Sequence, residues 1–265
     1  MFNDNVVIIT GASSGIGKEL ALQLAKQGAL LSLAARDIKR LEEVAEECMK
    51  SGAEVIAVQT DVTEKEQCKN LIEKTAAEFG RINTLINNAG ISMWAKFDEI
   101  KDLDLFKKIM DVNYLGSVYC TYYALPYLKK SDGRIVAVSS LTGKVGVPTR
   151  TAYSASKHAM IGFFDSLRIE LMDTNVSVTV INPGFVTSEV RERALGVDGK
   201  PVGKSHLDES KIMSAEECAK QIIDAAAKRK RELVMTTRAK IGMWIKLIYP
   251  KLVDKTSLKA IRSGQ

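Results

Sequence analysis

The feature that most restricts the fold of this chain is a glycine-rich segment between an apolar run and a helical pattern. Val6 to Thr10 is a continuous apolar run typical of a buried strand, and Gly15 to Gln27 has the periodicity of a helix. Gly11, Gly15 and Gly17 lie where the first element passes into the second. Glycines there allow a tight turn and close approach to a ligand, and free N–H groups at a helix start favour a pyrophosphate. An ordinary turn between a strand and a helix is the alternative if this segment is taken alone.

The alternation of strand and helix continues along the chain. Apolar runs predict further strands at Leu30 to Ala34, Glu54 to Val58, Thr84 to Ile86, Arg134 to Val138, Val176 to Ile181 and Leu233 to Met235. Helical patterns lie between these runs, including Leu103 to Leu128, Ala152 to Leu171 and Ala215 to Lys228. The order favours the α/β class, with a single Rossmann-type, doubly wound parallel sheet flanked by helices on both faces. We assign residues 1–236 to this domain and residues 237–265 to a basic, amphipathic C-terminal extension.

One helix start has a sequence signal of its own. Thr63 is followed three residues later by Glu66, which is the spacing of a capping box, and the helical pattern then runs to Phe79. We therefore predict that Thr63 caps this helix.

The net charge of +6 is concentrated near the C-terminus. Residues 228–265 contain eleven Lys or Arg and two acidic residues, so the preceding 227 residues carry a net charge of −3. An enzyme of nucleic acids is expected to spread basic residues around a binding groove, and the sequence gives little support for that function.

Composition also indicates the setting of the protein. No apolar run is long enough to span a bilayer, and the residues before Val6 lack the regions of a secretory signal. The four cysteines are widely spaced, with two histidines as the other candidate ligands, so we expect reduced thiols and no metal site. We expect a cytoplasmic protein.

The end of the second predicted strand bears on cofactor choice. A dinucleotide fold that selects NAD usually places an acid there for the ribose 2′-hydroxyl. Here Ala35 and then Arg36 occupy that point, and a cation without the acid suits a 2′-phosphate, which favours NADP over NAD. Asp37 comes next and keeps NAD open, and a solvated loop charge is the alternative for Arg36.

Two residues on the predicted helix Ala152 to Leu171 form the strongest candidate for chemistry. Tyr153 and Lys157 lie four residues apart, so their side chains project from one helix face. An ammonium beside a phenol stabilises the phenolate, which makes the phenol a better proton donor and acceptor near neutral pH. A solvated face of the helix is the alternative for this pair.

Together these features resemble the short-chain dehydrogenase/reductase family over about the first 235 residues. The resemblance rests on Thr10-Gly11-x-x-x-Gly15-Ile16-Gly17, Asn87-Asn88-Ala89-Gly90 and Tyr153-x-x-x-Lys157, with Ser140 thirteen residues before Tyr153. It implies a catalytic set of Asn113, Ser140, Tyr153 and Lys157. It implies cofactor contacts at Gly11, Ser13, Ser14, Gly15, Ile16, Gly17, Arg36, Asp61, Val62, Asn88, Ala89, Gly90, Tyr153, Lys157, Pro183, Gly184, Val186 and Thr187.

The resemblance also implies roles. Tyr153 is expected to protonate a carbonyl oxygen as hydride leaves the nicotinamide, or to deprotonate the alcohol in reverse, while Ser140 orients that oxygen. Lys157 is expected to hold the nicotinamide ribose and to lower the proton affinity of the tyrosine. Asn113 is expected to order a water that links Lys157 to solvent.

The substrate is less defined. Thr187 to Ser214 is irregular and predicts a lid, with apolar residues Val190, Ala194, Leu195, Val197 and Leu207. We expect an NADP(H)-dependent oxidoreductase that interconverts a ketone and a secondary alcohol on a hydrophobic, steroid-, retinoid- or lipid-like molecule. A 3-oxoacyl-thioester reductase is one alternative, and a non-catalytic NADP-binding or peripheral-membrane scaffold is another. We also expect a homodimer or homotetramer.

The C-terminal extension has a helical pattern of its own. Ile241, Trp244, Ile245 and Ile248 recur at helical spacing, with lysines at the flanks, until Pro250. Packing on its own subunit or on a dimer mate is one interpretation. The other is a position in a membrane interface, where the apolar side is buried and the basic side meets anionic lipid.

Overall fold

The computed structural model describes residues 2–187, 189–203 and 212–262, and in these ranges seven parallel strands form a single sheet. The strands are β1 Val6–Thr10, β2 Leu30–Ala35, β3 Val55–Gln59, β4 Thr84–Asn87, β5 Arg134–Val138, β6 Ser177–Asn182 and β7 Glu232–Val234. The helices are α1 Gly15–Ala25, α2 Ile38–Met49, α3 Lys65–Phe79, α4 Asp104–Met110, α5 Gly116–Lys130, α6 Thr151–Glu170, α7 Ala215–Ala227, α8 Thr237–Ile248 and α9 Pro250–Arg262. Short 3-10 turns cover Phe97–Glu99 and Leu141–Gly143, and a π-helical turn covers Asp111–Leu115.

The strand order in the sheet is β3-β2-β1-β4-β5-β6-β7. Strand β1 lies between β2 and β4, with Ile8 opposite Ser32 on one side and Leu85 on the other. The order reverses at β1 and β4, and this reversal opens a crevice at the carboxyl ends of the strands. The predicted Rossmann-type, doubly wound sheet is thus confirmed.

Helices cover both faces of the sheet. Helices α1, α2 and α7 pack on one face, where Ile9 and Leu31 point, whereas α3, α5 and α6 pack on the other, where Ile8 points. Adjacent strand residues face opposite layers, so a strand covered on both sides must be apolar at every position. This arrangement explains the continuous apolar run that predicted β1.

The predicted cap at Thr63 is wrong. Helix α3 begins at Lys65 after Glu64, which makes no side-chain cap. The hydroxyl of Thr63 instead donates to the Asp61 carboxylate at 2.8 Å, and the Thr63 backbone N–H donates to the same oxygen at 3.0 Å. The Thr63 hydroxyl is therefore used in a local turn with Asp61 and does not cap α3. Short polar side chains commonly form such local hydrogen bonds.

The C-terminal extension folds as two helices. Helix α8 ends before Pro250, and that proline opens α9 at the first helical position, where its missing N–H is not needed. Lys246 of α8 donates to the backbone oxygen of Lys144 at 2.6 Å, which joins the extension to the main domain. Among the described residues, every helix is too short or too polar to cross a bilayer.

Candidate active site

A cavity of about 1810 Å³ opens at the carboxyl ends of the strands. The residues that follow β1 through β6 all contribute to its wall, as expected at the crevice of a doubly wound sheet. The predicted site residues that line it are Gly11, Ser13, Ser14, Gly15, Ile16, Arg36, Asp61, Val62, Asn88, Ala89, Gly90, Ser140, Tyr153, Lys157, Pro183, Gly184 and Val186. Gly17, Asn113 and Thr187 are not among the residues that line it.

The glycine segment touches the loop after β4. Gly11 has a left-handed backbone with φ of 68°, and a Cβ there would lie 2.8 Å from the Ala89 Cα. A Cβ on Gly17 would lie 2.2 Å from the Gly11 oxygen. Side chains at these positions would push the loops apart. Ser14, the residue before α1, makes no side-chain cap, which leaves the first N–H groups of the helix available to a phosphate.

Asn88 holds this contact together. Its side-chain amide donates to the backbone oxygens of Thr10 at 2.9 Å and Gly11 at 3.3 Å. The hydroxyl of Thr10 accepts in return from the N–H groups of Asn88 and Ala89, both at 3.0 Å. The side chain of Asn88 therefore shapes the dinucleotide crevice, and Asn87 beside it turns inward and donates to Thr121 at 2.9 Å.

The end of β2 presents basic side chains to the cavity. Arg36 is exposed and lines the wall. The carboxylate of Asp37 accepts from the Arg40 N–H at 3.2 Å and caps α2. The Arg40 guanidinium donates twice to Glu189, at 2.7 and 3.0 Å, across the opening of the crevice.

The two serines after β5 have different surroundings. The Ser139 hydroxyl donates to the backbone oxygen of Lys157 at 3.1 Å, which fixes it against α6. Ser140 begins the turn Leu141–Gly143, and its oxygen accepts from the Thr142 N–H at 3.2 Å. Ser140 is also the serine whose hydroxyl interacts with the Tyr153 phenol.

Tyr153 and Lys157 share the buried end of the cavity. Burial raises the pKa of the Tyr153 phenol, and the Ser140 hydroxyl and the charge of Arg150 offset part of that rise. Lys157 is 3% exposed, and burial lowers the pKa of its ammonium to about 7. Its Nζ donates to the Val138 oxygen at 2.9 Å and lies 5.8 Å from the centre of the Tyr153 ring. A buried amine near its titration point can carry a proton to or from its neighbours.

Asn113 is fully buried in the π-helical turn between α4 and α5. Its amide oxygen accepts from the Ile91 N–H at 2.8 Å, and its amide nitrogen donates to the Ile91 oxygen at 3.0 Å and the Ser156 hydroxyl at 2.9 Å. Asn113 therefore ties the loop after β4 to α6. Single π-helical turns are often found at functional sites.

The described part of the segment after β6, residues 183–187, 189–203 and 212–214, contains no regular helix or strand, and it is held by backbone contacts. Leu195 forms a bridge with Met93, with N–H to oxygen distances of 2.8 and 2.9 Å in this region. Ala194 and Leu195 are buried, and Val190 is exposed and lines the cavity. Leu207 lies outside the described residues.

The sequence did not point to two buried arginines at the cavity wall, Arg150 and Arg191. Arg150 is 5% exposed, and burial lowers its pKa to about 10, with the Arg191 charge adding to the decrease. Its position three residues before Tyr153, on the same helix side, was a usable signal.

The helices of the C-terminal extension also border this cavity. Ile241 and Ile245 of α8 and Leu252 of α9 form part of its wall. The sequence pattern showed that α8 is amphipathic, but it did not show which surface the helix would meet.

These residues make up one arrangement of a dinucleotide crevice, a tyrosine, a serine and a lysine, and it matches the family comparison. Residues 5–195 match the family model described as short chain dehydrogenase. The chain belongs to the short chain dehydrogenase family.

Curated relatives match nearly the whole chain. It is 36% identical to "Dehydrogenase/reductase SDR family protein 7-like" of Dictyostelium discoideum, over 96% of this chain and 80% of the relative. It is 37% identical to "11-beta-hydroxysteroid dehydrogenase 1A" of Arabidopsis thaliana, over 96% of this chain and 76% of the relative. The short chain dehydrogenase is therefore similar to oxidoreductases along both its domain and its extension.

Solved structures share the fold. A short chain dehydrogenase/reductase from Burkholderia phymatum in complex with NAD has a TM-score of 0.84 and 24% identity, with 95% of each chain covered. An alcohol dehydrogenase from the archaeon Thermococcus sibiricus complexed with 5-hydroxy-NADP has a TM-score of 0.74 and 26% identity, covering 87% of this chain and 95% of that one. The neighbours thus include one NAD complex and one complex with an NADP derivative.

Proposed function

We propose that this short chain dehydrogenase uses NADP(H) to interconvert a ketone and a secondary alcohol on a hydrophobic substrate. The observation that carries the proposal is the half-buried Tyr153, whose phenol interacts with Ser140 and whose ring centre lies 5.8 Å from the Lys157 Nζ at a large cavity. The crevice fits a dinucleotide because its glycines allow close approach and the N–H groups at the start of α1 are free of a side-chain cap. When bound, the nicotinamide supplies or accepts the hydride.

The proton chemistry belongs to the chain's own residues. A phenol is protonated at neutral pH, and burial raises the pKa of Tyr153 further, so the side chain has a proton to donate to a carbonyl oxygen during reduction. Ser140 hydrogen-bonds the same oxygen and holds it in place. Lys157 positions the ribose and resupplies the proton, and Asn113 fixes the helix that carries Tyr153 and Lys157 against the loop after β4. We keep the proposal that Asn113 also orders a water on the path from Lys157 to solvent.

Tyr153→Phe tests this chemistry. We expect loss of nearly all turnover, about a thousandfold or more, because the proton donor at the carbonyl oxygen is gone. Binding of NADPH, followed by its fluorescence, should stay at the wild-type level. Full activity in this variant would refute the mechanism.

The preference for NADP rests on Arg36. It lies at the cavity wall after β2, and the neighbouring carboxylate of Asp37 is already engaged as the cap of α2. A free cation beside an engaged acid suits a 2′-phosphate better than a 2′-hydroxyl. Arg36→Ala should weaken NADPH binding about tenfold and leave NADH binding nearly unchanged. A wild-type enzyme with higher kcat/KM for NADH would overturn this assignment.

A hydrophobic substrate is supported by the wall of the cavity. Val145, Val147 and Leu195 from the main domain line the same cavity as Ile241 and Ile245 of the extension. Several relatives carry the name 11-beta-hydroxysteroid dehydrogenase, which supports a steroid-like molecule. A 3-oxoacyl thioester is the alternative. NADPH oxidation screened against steroid ketones, retinoid-like and fatty ketones and 3-oxoacyl thioesters separates these classes.

A non-catalytic scaffold is the alternative of another class. A scaffold protein would not need to keep the four predicted catalytic residues close together. Here Tyr153 and Lys157 lie on α6, and Ser140 and Asn113 interact with residues of α6. This convergence favours an enzyme. Wild-type protein that binds NADPH but turns over no carbonyl in the screen would favour the scaffold.

We further propose a cytoplasmic enzyme whose extension contacts a membrane. Trp244 is 72% exposed, and Leu247, Ile248 and Tyr249 beside it are also exposed. An exposed apolar surface on a basic helix suits an anionic bilayer. Cosedimentation with anionic liposomes should decrease when residues after 238 are removed, and equal pelleting would remove the idea.

A homodimer or homotetramer is also proposed. Tyr122 on α5 and Ile169 on α6 are large apolar side chains that are exposed in the single chain, as is Met172 just after α6. Such residues commonly lie in subunit contacts. Light scattering after gel filtration measures the assembly, and a monomer at micromolar concentration would contradict it.

A further inference from the structure

A buried arginine beside Tyr153 faces the substrate part of the cavity. Arg150 is 95% buried, lines the wall, and stacks on the ring of Trp94 at 4.5 Å. Of its five donor hydrogens, one bonds to the Ser92 hydroxyl, and the described residues offer the guanidinium no carboxylate. Burying a cation without an anionic partner costs free energy, so the buried position of Arg150 lowers the stability of the fold.

The backbone before Arg150 is also unusual. Thr149 has a positive φ of 65°, a conformation that a β-branched residue rarely adopts. Its oxygen accepts from the Ala95 N–H at 3.1 Å, which fixes the strained residue against the loop after β4. Strain of this kind is typical of functional sites, and here it precedes the inward-pointing Arg150.

The charges on the cavity wall are unevenly placed. Among the described residues that line it, the carboxylates are Asp37, Asp61 and Glu189. Each of these carboxylates accepts hydrogen bonds from nearby residues. Asp37 follows β2, Asp61 follows β3 and Glu189 pairs with Arg40, so all three lie in the half of the crevice proposed for the adenosine. Near Tyr153 the wall instead carries Arg150, with Arg191 close enough to influence it. Among the described wall residues, the part of the cavity near Tyr153 therefore has a buried cation, Arg150, and no carboxylate.

We infer that the substrate carries a carboxylate that binds Arg150, so that the enzyme acts on hydrophobic oxo or hydroxy acids. This inference rests on the proposed function, because it takes the cavity near Tyr153 as the substrate site. A guanidinium binds a carboxylate through parallel charge-assisted hydrogen bonds, which would use donors of Arg150 that the described residues leave free. The apolar wall binds the remainder of the molecule. Arg150 is then a specificity residue, distinct from the set that moves the proton.

Decanoate and decanol form a ligand pair that tests the inference without turnover. Isothermal titration on the full chain should give decanoate a Kd at least about tenfold below that of decanol, although decanol is the more apolar of the two. Arg150→Gln should remove most of this difference. Arg238→Gln, which removes an exposed cation from the rim of the same cavity, is the matched control and should keep it.

Two outcomes would overturn the inference. Wild-type protein that binds decanol as tightly as decanoate contradicts it, and so does a decanoate preference that survives Arg150→Gln. If Arg150→Gln does not fold, as judged by thermal unfolding, the wild-type comparison still decides. Arg150→Lys, which retains a charge, should then keep part of the preference, and its complete loss there would point to a bracing role at Ser92 and Trp94.

The test also separates this inference from the proposed function. Tyr153→Phe should lose turnover and keep the decanoate preference, because the two properties belong to different side chains. A preference for decanoate in a protein that reduces no carbonyl would leave Arg150 as an anion site and refute the proposed reaction. Turnover of neutral ketones together with equal binding of decanoate and decanol would support the proposed reaction and refute the inference about Arg150. Matched turnover of 12-oxo-octadecanoate and its methyl ester extends the comparison to kcat/KM, where the acid should be favoured about tenfold.

Discussion

Helices α6 and α8 border the same cavity, yet they are packed in opposite ways. Helix α6 buries Lys157 and Phe164 among other residues, whereas no residue of α8 is buried. Helix α6, which carries Tyr153 and Lys157, is fixed by its buried residues. Helix α8 contributes Ile241 and Ile245 to the cavity wall without burying any residue of its own. The residues of the proposed reaction therefore lie on a firmly packed helix, whereas part of the proposed substrate pocket lies on a loosely packed one.

The largest contrast should appear in stability. Phe164→Ala in α6 removes a fully buried ring, and we expect a loss of about 3–5 kcal/mol in the free energy of unfolding. Trp244→Ala in α8 is the matched aromatic change at an exposed site, and less than about 0.5 kcal/mol is expected. Urea unfolding of both variants measures the difference. Equal losses would show that α8 is packed as firmly as α6.

The buried ammonium of α6 should make stability depend on pH. A free lysine titrates near ~10.4, whereas Lys157 has a pKa of about 7, so the unfolded state binds more protons between these values. Stability should therefore rise with pH from 7 to 9, by on the order of 1–2 kcal/mol more in wild type than in Lys157→Met. Below pH ~7 both states are protonated, and this contribution becomes constant.

A lysine of α8 supplies the control for that experiment. Lys240 is exposed, and Lys240→Met should keep the wild-type dependence because this side chain meets solvent in both states. Thermal unfolding at several pH values provides the measurement. A wild-type slope that persists in Lys157→Met would mean that another group causes it.

The smallest effect should appear in substrate binding by α8. Ile245→Ala removes an apolar group from the cavity wall, so we expect KM for a hydrophobic substrate to rise about two- to fivefold with kcat nearly unchanged. Leu247→Ala, on the exposed side of the same helix, should leave both constants unchanged. A decrease in kcat for Ile245→Ala would show that α8 influences the reacting groups as well as the pocket.

The sheet could be predicted from sequence because its central strands are covered by helices on both faces. Strand β1 shows the reason, since Ile8 and Ile9 point into different layers and both must be apolar. The glycine segment was equally informative, because Gly11 and Gly17 leave no room for a side chain. In both cases a local structural constraint determines which residue type can occupy the position.

Features that depend on distant partners could not be predicted in this way. Arg150 is buried because Ser92 and Trp94, more than fifty residues earlier, surround it. Thr63 had the spacing of a capping box, and the competing carboxylate of Asp61 took its hydroxyl. Sequence patterns describe a residue's own element well, and they say little about which other element will meet it.

The hydrogen bond from Lys246 to Lys144 connects the extension to the turn that follows β5. Lys144 directly follows the turn that Ser140 begins, and its own ammonium pairs with Glu232 at 2.7 Å. The extension is therefore held at the residue that follows this turn, four positions after Ser140. A change in the position of α8 and a change in the turn that carries Ser140 would share this one hydrogen bond.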